Sequence, residues 1–591
     1  MFKLLKRLNM HEYQMIFISV IFIALQVWLE LKIPDYMSVL TQKLESSGTT
    51  TADILAPGLI MLFLSVLSVI ASVIVGYFVA KIAAGFAARL RKDSFTQIMN
   101  YASQDIKQFS VPSLLTRSTN DITQLQQFVA MGLQAIIKAP ITTIWAITKI
   151  AGKGWQWTTA TGIAVAVLTI MLTLMLLLVQ PKFKVVQKLT DNLNQITREN
   201  LTGIKVVHAY NAEKYQSDKL DQANSQLTNT NLFAYRVLAL MNPGMSLISS
   251  TLTLSVYTIG AIVINQAAQA QRLPLFGNMI VFSSYAMQVI MGFLLLSIIF
   301  VLLPRVTVSA NRLNEILNVE PSIKYPASTR NLQTSTNQKG IIEFKHVGLK
   351  YKGAESSALT NLSFKAQQGQ TVAFIGSTGS GKSTALQLIL RVHDATSGEI
   401  LIDGKDIQEY SEENLNNKIG YIPQRAVLFS GTVRSNIDLG ESQNKHSPLT
   451  DTEILTALDI AQAKDFVLQK EKGLDEPVAQ HGDNFSGGQK QRLAITRAIA
   501  RKPEILLFDD SFSALDYATD RKLRDNLAQK FKNVTKIIVA QRISTISDAD
   551  QIIVLDNGKV VGQGTHEQLL KNNKVYQEIA YSQLSKEELA K

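Results

Sequence analysis

The 591-residue chain has no cysteine. Disulfide frameworks, zinc ribbons, iron–sulfur sites and thiol catalysis are thereby excluded. Negative charge is scarce in the first part: residues 1–330 carry 15 Asp/Glu against 27 Lys/Arg, whereas residues 331–591 carry 32 of each. The whole net charge of +12 therefore lies in the first part. A basic excess can mark a nucleic-acid binder. Here the basic part is also the apolar part, so no nucleic-acid partner is expected. Charge of either sign is missing from 13–29, 54–80, 154–181, 237–271 and 273–304, and 122–148 is broken only by Lys138. A helix needs about 20 apolar residues to cross the hydrocarbon core. Six spans are predicted, in a lipid bilayer.

Basic residues orient them. Lys3, Lys6 and Arg7 precede span one. The stretch between spans two and three holds Lys81, Arg89, Arg91, Lys92, Lys107 and Arg117. The stretch between spans four and five holds Lys182, Lys184, Lys188, Arg198, Lys205, Lys214, Lys219 and Arg236. The alternate connections carry little, with Lys43, Lys153 and Arg272 named among them. Both ends are thus expected in the cytoplasm. No small-residue cleavage site follows the first run, and Glu30 and Lys32 come directly after it, so an uncleaved first span is expected. Residues 83–99 keep apolar residues at helical spacing, a helix continuing out of the membrane. Lys138 is an intramembrane charge, which is a functional candidate unless it snorkels or is buried at a helix interface. Trp155 and Trp157 fit the interfacial aromatic belt. Met241, Met245, Met279, Met287 and Met291 fit either helix packing or an adaptable cavity.

Residues 320–340 are polar with two prolines, a linker composition. Strands and helices alternate after them, which argues an α/β domain over 341–591. Strands are predicted at 341–351, 371–375, 505–508 and 537–539, and 552–561 should fold back over Asp556-Asn557-Gly558. Gly376, Ser377, Thr378, Gly379, Ser380, Gly381, Lys382 and Ser383 match the phosphate-loop pattern after a strand and before a helix. Such a loop closes backbone amides around phosphate oxygens, aims a helix N-terminus at them, and brings Lys382 to the β/γ-phosphates of ATP and Ser383 to Mg²⁺. Asp509 ends an apolar strand, where phosphate-loop enzymes hold Mg²⁺. Ser486, Gly487, Gly488 and Gln489 open a helix and form either a second anion site or an ordinary helix cap.

As an ordered set these residues resemble the ABC transporters of the exporter type, a membrane domain over 1–320 fused to a nucleotide-binding domain. The resemblance implies that Tyr351 stacks on adenine, Thr384 ends the Walker A loop, Gln424 is the Q-loop residue near Mg²⁺ and the attacking water, and Phe485–Gln489 is the signature. It also implies that Asp509 is the Walker B acid and Asp516 closes the D-loop. The segments Ser113–Asp121 and Gly203–Glu213 look like the family's cytoplasmic loops that dock on nucleotide domains. Two such chains are implied, with ATP between Walker A of one and the signature of the other.

Two positions depart from the pattern. The usual Glu after the Walker B acid is Asp510, one methylene shorter, and the usual switch His is Gln541. Both changes fall on hydrolysis. They resemble the degenerate-site subunit of bacterial heterodimeric multidrug exporters, with a different half-transporter as partner and a small amphipathic cargo. A homodimeric lipid or peptide exporter with slow ATPase and a nucleotide-gated regulator or channel are the alternatives. A soluble ABC ATPase acting on ribosomes or DNA is excluded by the six spans.

Overall fold

The structure is a computed structural model that describes residues 4, 6–45, 50–151, 154–326, 339–440 and 448–583. Lys3, Lys153 and most of the expected linker, 327–338, lie outside the described residues. The chain divides into two compact units, one of Met1–Asn100 with Phe109–Val319, the other of Tyr101–Gln108 with Glu320–Lys591.

The first unit is helical. Apolar segments in a bilayer must satisfy every backbone group internally, and helices do so. Among the described residues six helical stretches are long and apolar enough to cross a membrane. They are built from α1 (Met10–Glu45), α2 (Thr51–Met99), α4 (Ile122–Ala151), α5 (Trp155–Thr202), α7 (Met241–Gln266) and α8 (Gln269–Asn318), while α3 (Ser103–Lys107) is a short helix of the other unit. The helix α6 (Glu213–Ala239) leads into α7. At 1.5 Å per residue, the 49 residues of α2 run far past a hydrocarbon core of about 30 Å. Thr50 starts α2 with a capping box: its hydroxyl accepts from Asp53 N, and the Asp53 carboxylate accepts from Thr50 N at 3.1 Å. Val75, Val79, Phe282, Tyr285 and Val289 form part of the buried core between helices. Leu55, Leu59, Phe63, Val66 and Val73 stay exposed along α2, as lipid-facing positions should.

One reading changes here, and two that offered alternatives are narrowed. Trp155 is 73% exposed, but Trp157 is 2% exposed and its Nε1 donates to Val256 O at 3.1 Å. Trp157 is therefore a packing residue with its polar edge satisfied, not part of an interfacial belt. Lys138 does not snorkel: its ammonium pairs with Glu30 at 2.9 Å. Met245 and Met279 are buried in the helix core, whereas Met287 and Met291 are exposed. Ser113–Asp121 stays with the first unit, where Arg117 pairs with Glu315 at 2.7 Å and Ser309 Oγ donates to Asp121 at 2.7 Å. The segment grouped with the second unit is Tyr101–Gln108, where the Asp105 carboxylate accepts from Ser322 N and Oγ, both at 3.0 Å.

The second unit holds three sheets among the described residues. The main one has the order β12 (Lys559–Gly564), β11 (Gln551–Asp556), β3 (Thr371–Gly376), β10 (Thr535–Val539), β9 (Ile505–Asp509) and β6 (Ile419–Ile422). All its neighbours pair parallel except β11 with β12. That pair is a hairpin whose turn residues Asn557 and Gly558 have φ of 46° and 75°, as a type I′ turn requires. An antiparallel sheet has the order β2 (Leu359–Ala366), β1 (Ile342–Leu349), β4 (Ser397–Ile402), β5 (Lys405–Asp406), and β7 (Gly431–Thr432) pairs with β8 (Pro477–Val478). Central strands are buried on both faces, so β3, β9 and β10 carry the apolar runs 372–375, 505–508 and 537–539. Register decides the site. Val539 pairs with both Phe374 and Asp509, so β10 and β9 end level and β3 runs two residues further, to Gly376. The residues just beyond their carboxyl ends meet in one crevice, where ligands of such sheets bind.

Candidate nucleotide site

The loop from Gly376 to Gly381 leaves β3 and turns into α9 (Lys382–Ile389). Two glycines are required for shape. A Cβ on Gly376 would lie 2.0 Å from Leu555 O, and one on Gly381, at φ 99°, would lie 2.8 Å from Ala358 O. Lys382 is buried and folds back over the loop, donating to Gly376 O at 2.9 Å and Ser377 O at 2.7 Å. Burial lowers its pKa, and Asp510 and Asp509 partly oppose that. A polyphosphate here would give the ammonium a stronger counter-charge than two carbonyls.

Ser383 Oγ donates to Asp509 Oδ1 at 2.7 Å, joining the start of α9 to the end of β9. Burial raises the Asp509 pKa, while hydrogen bonds from Ser383 and Tyr421 lower it. Tyr421 was not anticipated from sequence. It lies on β6, whose parallel register with β9 brings it beside Leu507, two residues before Asp509. Burial and the Asp509 charge push the Tyr421 phenol up to about 12, so it stays a donor at neutral pH.

Asp510 follows at φ 49°, a left-handed conformation that Asp and Asn tolerate better than most residues. Its backbone N donates to Val539 O at 2.9 Å, which ties the turn to β10. Its carboxylate Oδ2 accepts from Gln541 Nε2 at 3.0 Å and from Gln424 Nε2 at 3.4 Å. The fold thus gathers the three residues singled out for hydrolysis around one oxygen. Burial raises the Asp510 pKa, the Gln424 hydrogen bond opposes it, and the Asp509 charge adds to it.

Tyr351 stands apart from these, with its hydroxyl 3.3 Å from Thr384 Oγ1. His393 meets its ring edge-on at 5.2 Å, and Lys107 Nζ lies 5.7 Å from the ring centre. Neither neighbour was anticipated, because nothing local in sequence links 107, 351 and 393. Ser486 caps α10 (Gly487–Ala500): its Oγ accepts from Gln489 N at 3.3 Å, and Gln489 Oε1 accepts from Ser486 N at 3.0 Å. Gly487 and Gly488 leave the first two positions of α10 without side chains. Phe485 is buried behind the cap. Asp516 caps α11 (Tyr517–Lys530), accepting from Thr519 N at 3.0 Å, and that bond holds its carboxyl below the usual range.

Residues 359–513 match the ABC transporter family, and residues 16–293 match the ABC transporter transmembrane region. An ABC transporter ATP-binding protein of Mycobacterium bovis is 38% identical over 533 residues, covering 90% of each chain. The chain belongs to the ABC transporter family. An ATP-dependent lipid A-core flippase of Pseudomonas fluorescens is 29% identical over 500 residues, covering 85% of this chain and 81% of that protein. The structure of a bacterial Atm1-family ABC exporter with ATP bound superposes with a TM-score of 0.82 at 22% identity, over 97% of this chain and 99% of that one. The protein is a multi-pass membrane ABC exporter with a cytoplasmic ATPase domain, and ATP drives it.

Proposed function

We propose that this chain is one half of a heterodimeric exporter of amphipathic cargo, whose own site binds ATP and hydrolyses it poorly, while its signature completes the partner's site. The observation that carries the reading is the Asp510 carboxylate, held by Gln541 at 3.0 Å and Gln424 at 3.4 Å. Burial raises its proton affinity, so basicity is not what limits it. Reach is. The side chain is one methylene shorter than the usual Glu and is pinned by two neutral amides. An error of about 1 Å in such a group can cost roughly 10²-fold. Gln541 can donate to a γ-phosphate oxygen but cannot titrate near neutrality.

Binding needs none of those groups. The glycines of the loop leave room for phosphate oxygens, Lys382 is desolvated and ready for an anion, and Tyr351 offers a ring for adenine. Ser383, Asp509 and Gln424 supply hard oxygen ligands of the kind Mg²⁺ takes. The ion would neutralise charge between the β- and γ-phosphates. Ser486, Gly487, Gly488 and Gln489 present an uncrowded helix start to a partner's γ-phosphate, with Asp516 beside that interface; the cap and the anion site are the same atoms used twice. The test is ATP turnover by the purified chain alone in nanodiscs. Tight ATP retention without sustained turnover is expected. Turnover at tens per second would refute the degenerate site and favour a homodimer. The flippase relative favours a lipid as cargo within either reading.

A further inference from the structure

Within the membrane-spanning unit, four helices bring polar groups together around Glu30. Glu30 and Gln26 lie one turn apart on α1, and Gln26 Nε2 donates to Glu30 Oε1 at 2.9 Å. Lys138 of α4 pairs with the same oxygen at 2.9 Å, and Ser68 of α2 reaches it at 3.5 Å. Gln288 of α8 donates to Glu30 O at 3.5 Å. One turn along α8, Gly292 permits the close crossing: a Cβ there would lie 2.3 Å from Thr143 Oγ1 and 3.3 Å from Ala139 O of α4.

The cluster is not saturated. The amide oxygens of Gln26 and Gln288 and the hydroxyl of Thr142 are buried without a hydrogen-bond partner, and Gln26 as a whole is only 5% exposed. The two amide oxygens are acceptors, and the Thr142 hydroxyl can accept as well as donate. An unpaired buried acceptor is costly, and more so in hydrocarbon. The neighbouring Asp35 differs. Its carboxylate takes Lys149 at 3.1 Å and the Tyr285 hydroxyl at 2.7 Å, and Tyr285 also donates to Leu31 O at 2.9 Å. That pair is closed. Exposure does not separate the two pairs, at 29% and 19% for Glu30 and Lys138 against 30% and 35% for Asp35 and Lys149; the unmet acceptors beside Glu30 do.

The geometry points to a headgroup site for an ammonium-bearing amphipath at Glu30, Gln26 and Gln288, in which the incoming ammonium replaces Lys138 on the carboxylate. A primary ammonium brings three donors to one carboxylate and two amide oxygens. Lys138 holds the place of the cargo and balances the charge of the carboxylate while the site is empty. The inference rests on the reading of the chain as an exporter of amphipathic cargo, and it names the cargo's polar end. The ammonium can come from a free alkylamine or from a phosphatidylethanolamine headgroup.

The test uses the full chain in phosphatidylglycerol nanodiscs with radiolabelled dodecylamine as probe, and dodecanol as the uncharged control for partitioning. Saturable binding of the amine and not of the alcohol is expected. Glu30→Gln should weaken it about 10- to 100-fold, the usual worth of a hydrogen-bonded charge. Lys138→Met should strengthen it, since the internal competitor is gone. Asp35→Asn should leave it unchanged. Competition by added phosphatidylethanolamine but not by phosphatidylcholine, which has no N–H donor, assigns the site to a lipid; no competition by either assigns it to free amphipaths. Where Glu30→Gln alone fails to fold, the Glu30→Gln/Lys138→Met pair removes both charges together and should fold without binding the amine. Unchanged amine affinity in either carboxylate variant, or weaker binding in Lys138→Met, overturns the proposal. ATPase is read separately. Amine binding that depends on Glu30 in a protein without ATP-driven transport overturns the exporter reading and leaves the site standing.

Discussion

Replacing Asp510 by Asn changes one atom's charge and little else. Asparagine tolerates the left-handed backbone at φ 49° as aspartate does. Its amide can turn its oxygen toward Gln541 Nε2, which now lies 3.0 Å from Oδ2, so the local hydrogen bonding persists. The fold should therefore hold. Losing an effective base costs about 10²–10⁴-fold in rate. Asp510 is already shortened and pinned, and a misplacement near 1 Å has by itself spent roughly 10² of that. In the purified pair, Asp510→Asn should lower steady-state ATPase by less than about threefold, whereas neutralising the partner's matching acid should lower it by the full range. The converse change is also informative. Asp510→Glu with Gln541→His should raise single-turnover hydrolysis at this site by about 10²-fold, less whatever strain of order 1 kcal/mol a longer side chain meets at a positive φ. The assay is phosphate release from trapped ATP, followed for each single variant and the double. Equal and severe losses from Asp510→Asn and from the partner's variant would mean that both sites hydrolyse, and the reasoning from reach would be wrong.

Three further outcomes are expected. Lys382→Ala should abolish retention of labelled ATP at this chain's site, because the buried ammonium is the cation nearest the loop; retention at the wild-type level would refute the assignment. Ser486→Ala should lower stability by about 1 kcal/mol through the lost cap and stop turnover of the pair, while Ser486→Asp should keep the cap yet still stop turnover, because a carboxylate would face the partner's γ-phosphate; survival of turnover in Ser486→Asp would exclude the cross-chain role. Asp509 and Asp510 have pKa values raised by burial, so the folded state holds their protons more tightly than the unfolded state does. Their contribution to stability is therefore greatest at low pH and declines as pH rises from about 4 through the folded values. The melting-temperature gap between Asp509→Asn/Asp510→Asn and wild type should favour the variant at pH 7 and close as pH falls toward 4; a gap independent of pH would show that neither group pays for burial.

The legible parts of the chain were those whose signal is local. The loop 376–383 is a contiguous pattern with a mechanism in each residue, and long uncharged runs need only counting. Asn557-Gly558 named its own turn. The unreadable parts were contacts between distant segments. Glu30 entered the sequence reading only as a charge that closes the first apolar run, and only the helix crossing shows that Glu30 and Asp35 neutralise Lys138 and Lys149. Tyr421 reaches Asp509 because β6 and β9 are parallel neighbours, a pairing of residues far apart in the chain. Trp157 fitted an interfacial belt by composition, yet its Nε1 bond to Val256 O puts it inside the bundle. The serine of 486–489 was open to two readings, cap or anion site. Its geometry as a cap leaves both in force, since a capped helix start still points backbone N–H groups outward.

An intact binding loop beside a weakened hydrolytic group has a thermodynamic consequence for the proposed pair. ATP that binds only the closed arrangement favours it by RT ln(1 + [ATP]/Kd), about 2.7 kcal/mol when ATP is at a hundred times its dissociation constant. A site that hydrolyses loses that bias once per cycle. A site that does not hydrolyse keeps it, so the nucleotide domains start every cycle already tilted toward closure. The partner's site then supplies the whole of the reset. In the proposed pair the signature at Ser486–Gln489 serves that working site, so substitutions at Asp510 and Gln541 leave the start of α10 free to keep its role. Any substitution that weakens ATP at Lys382 should accordingly slow the pair by opening it, not by removing chemistry, and the deficit should shrink as ATP concentration is raised.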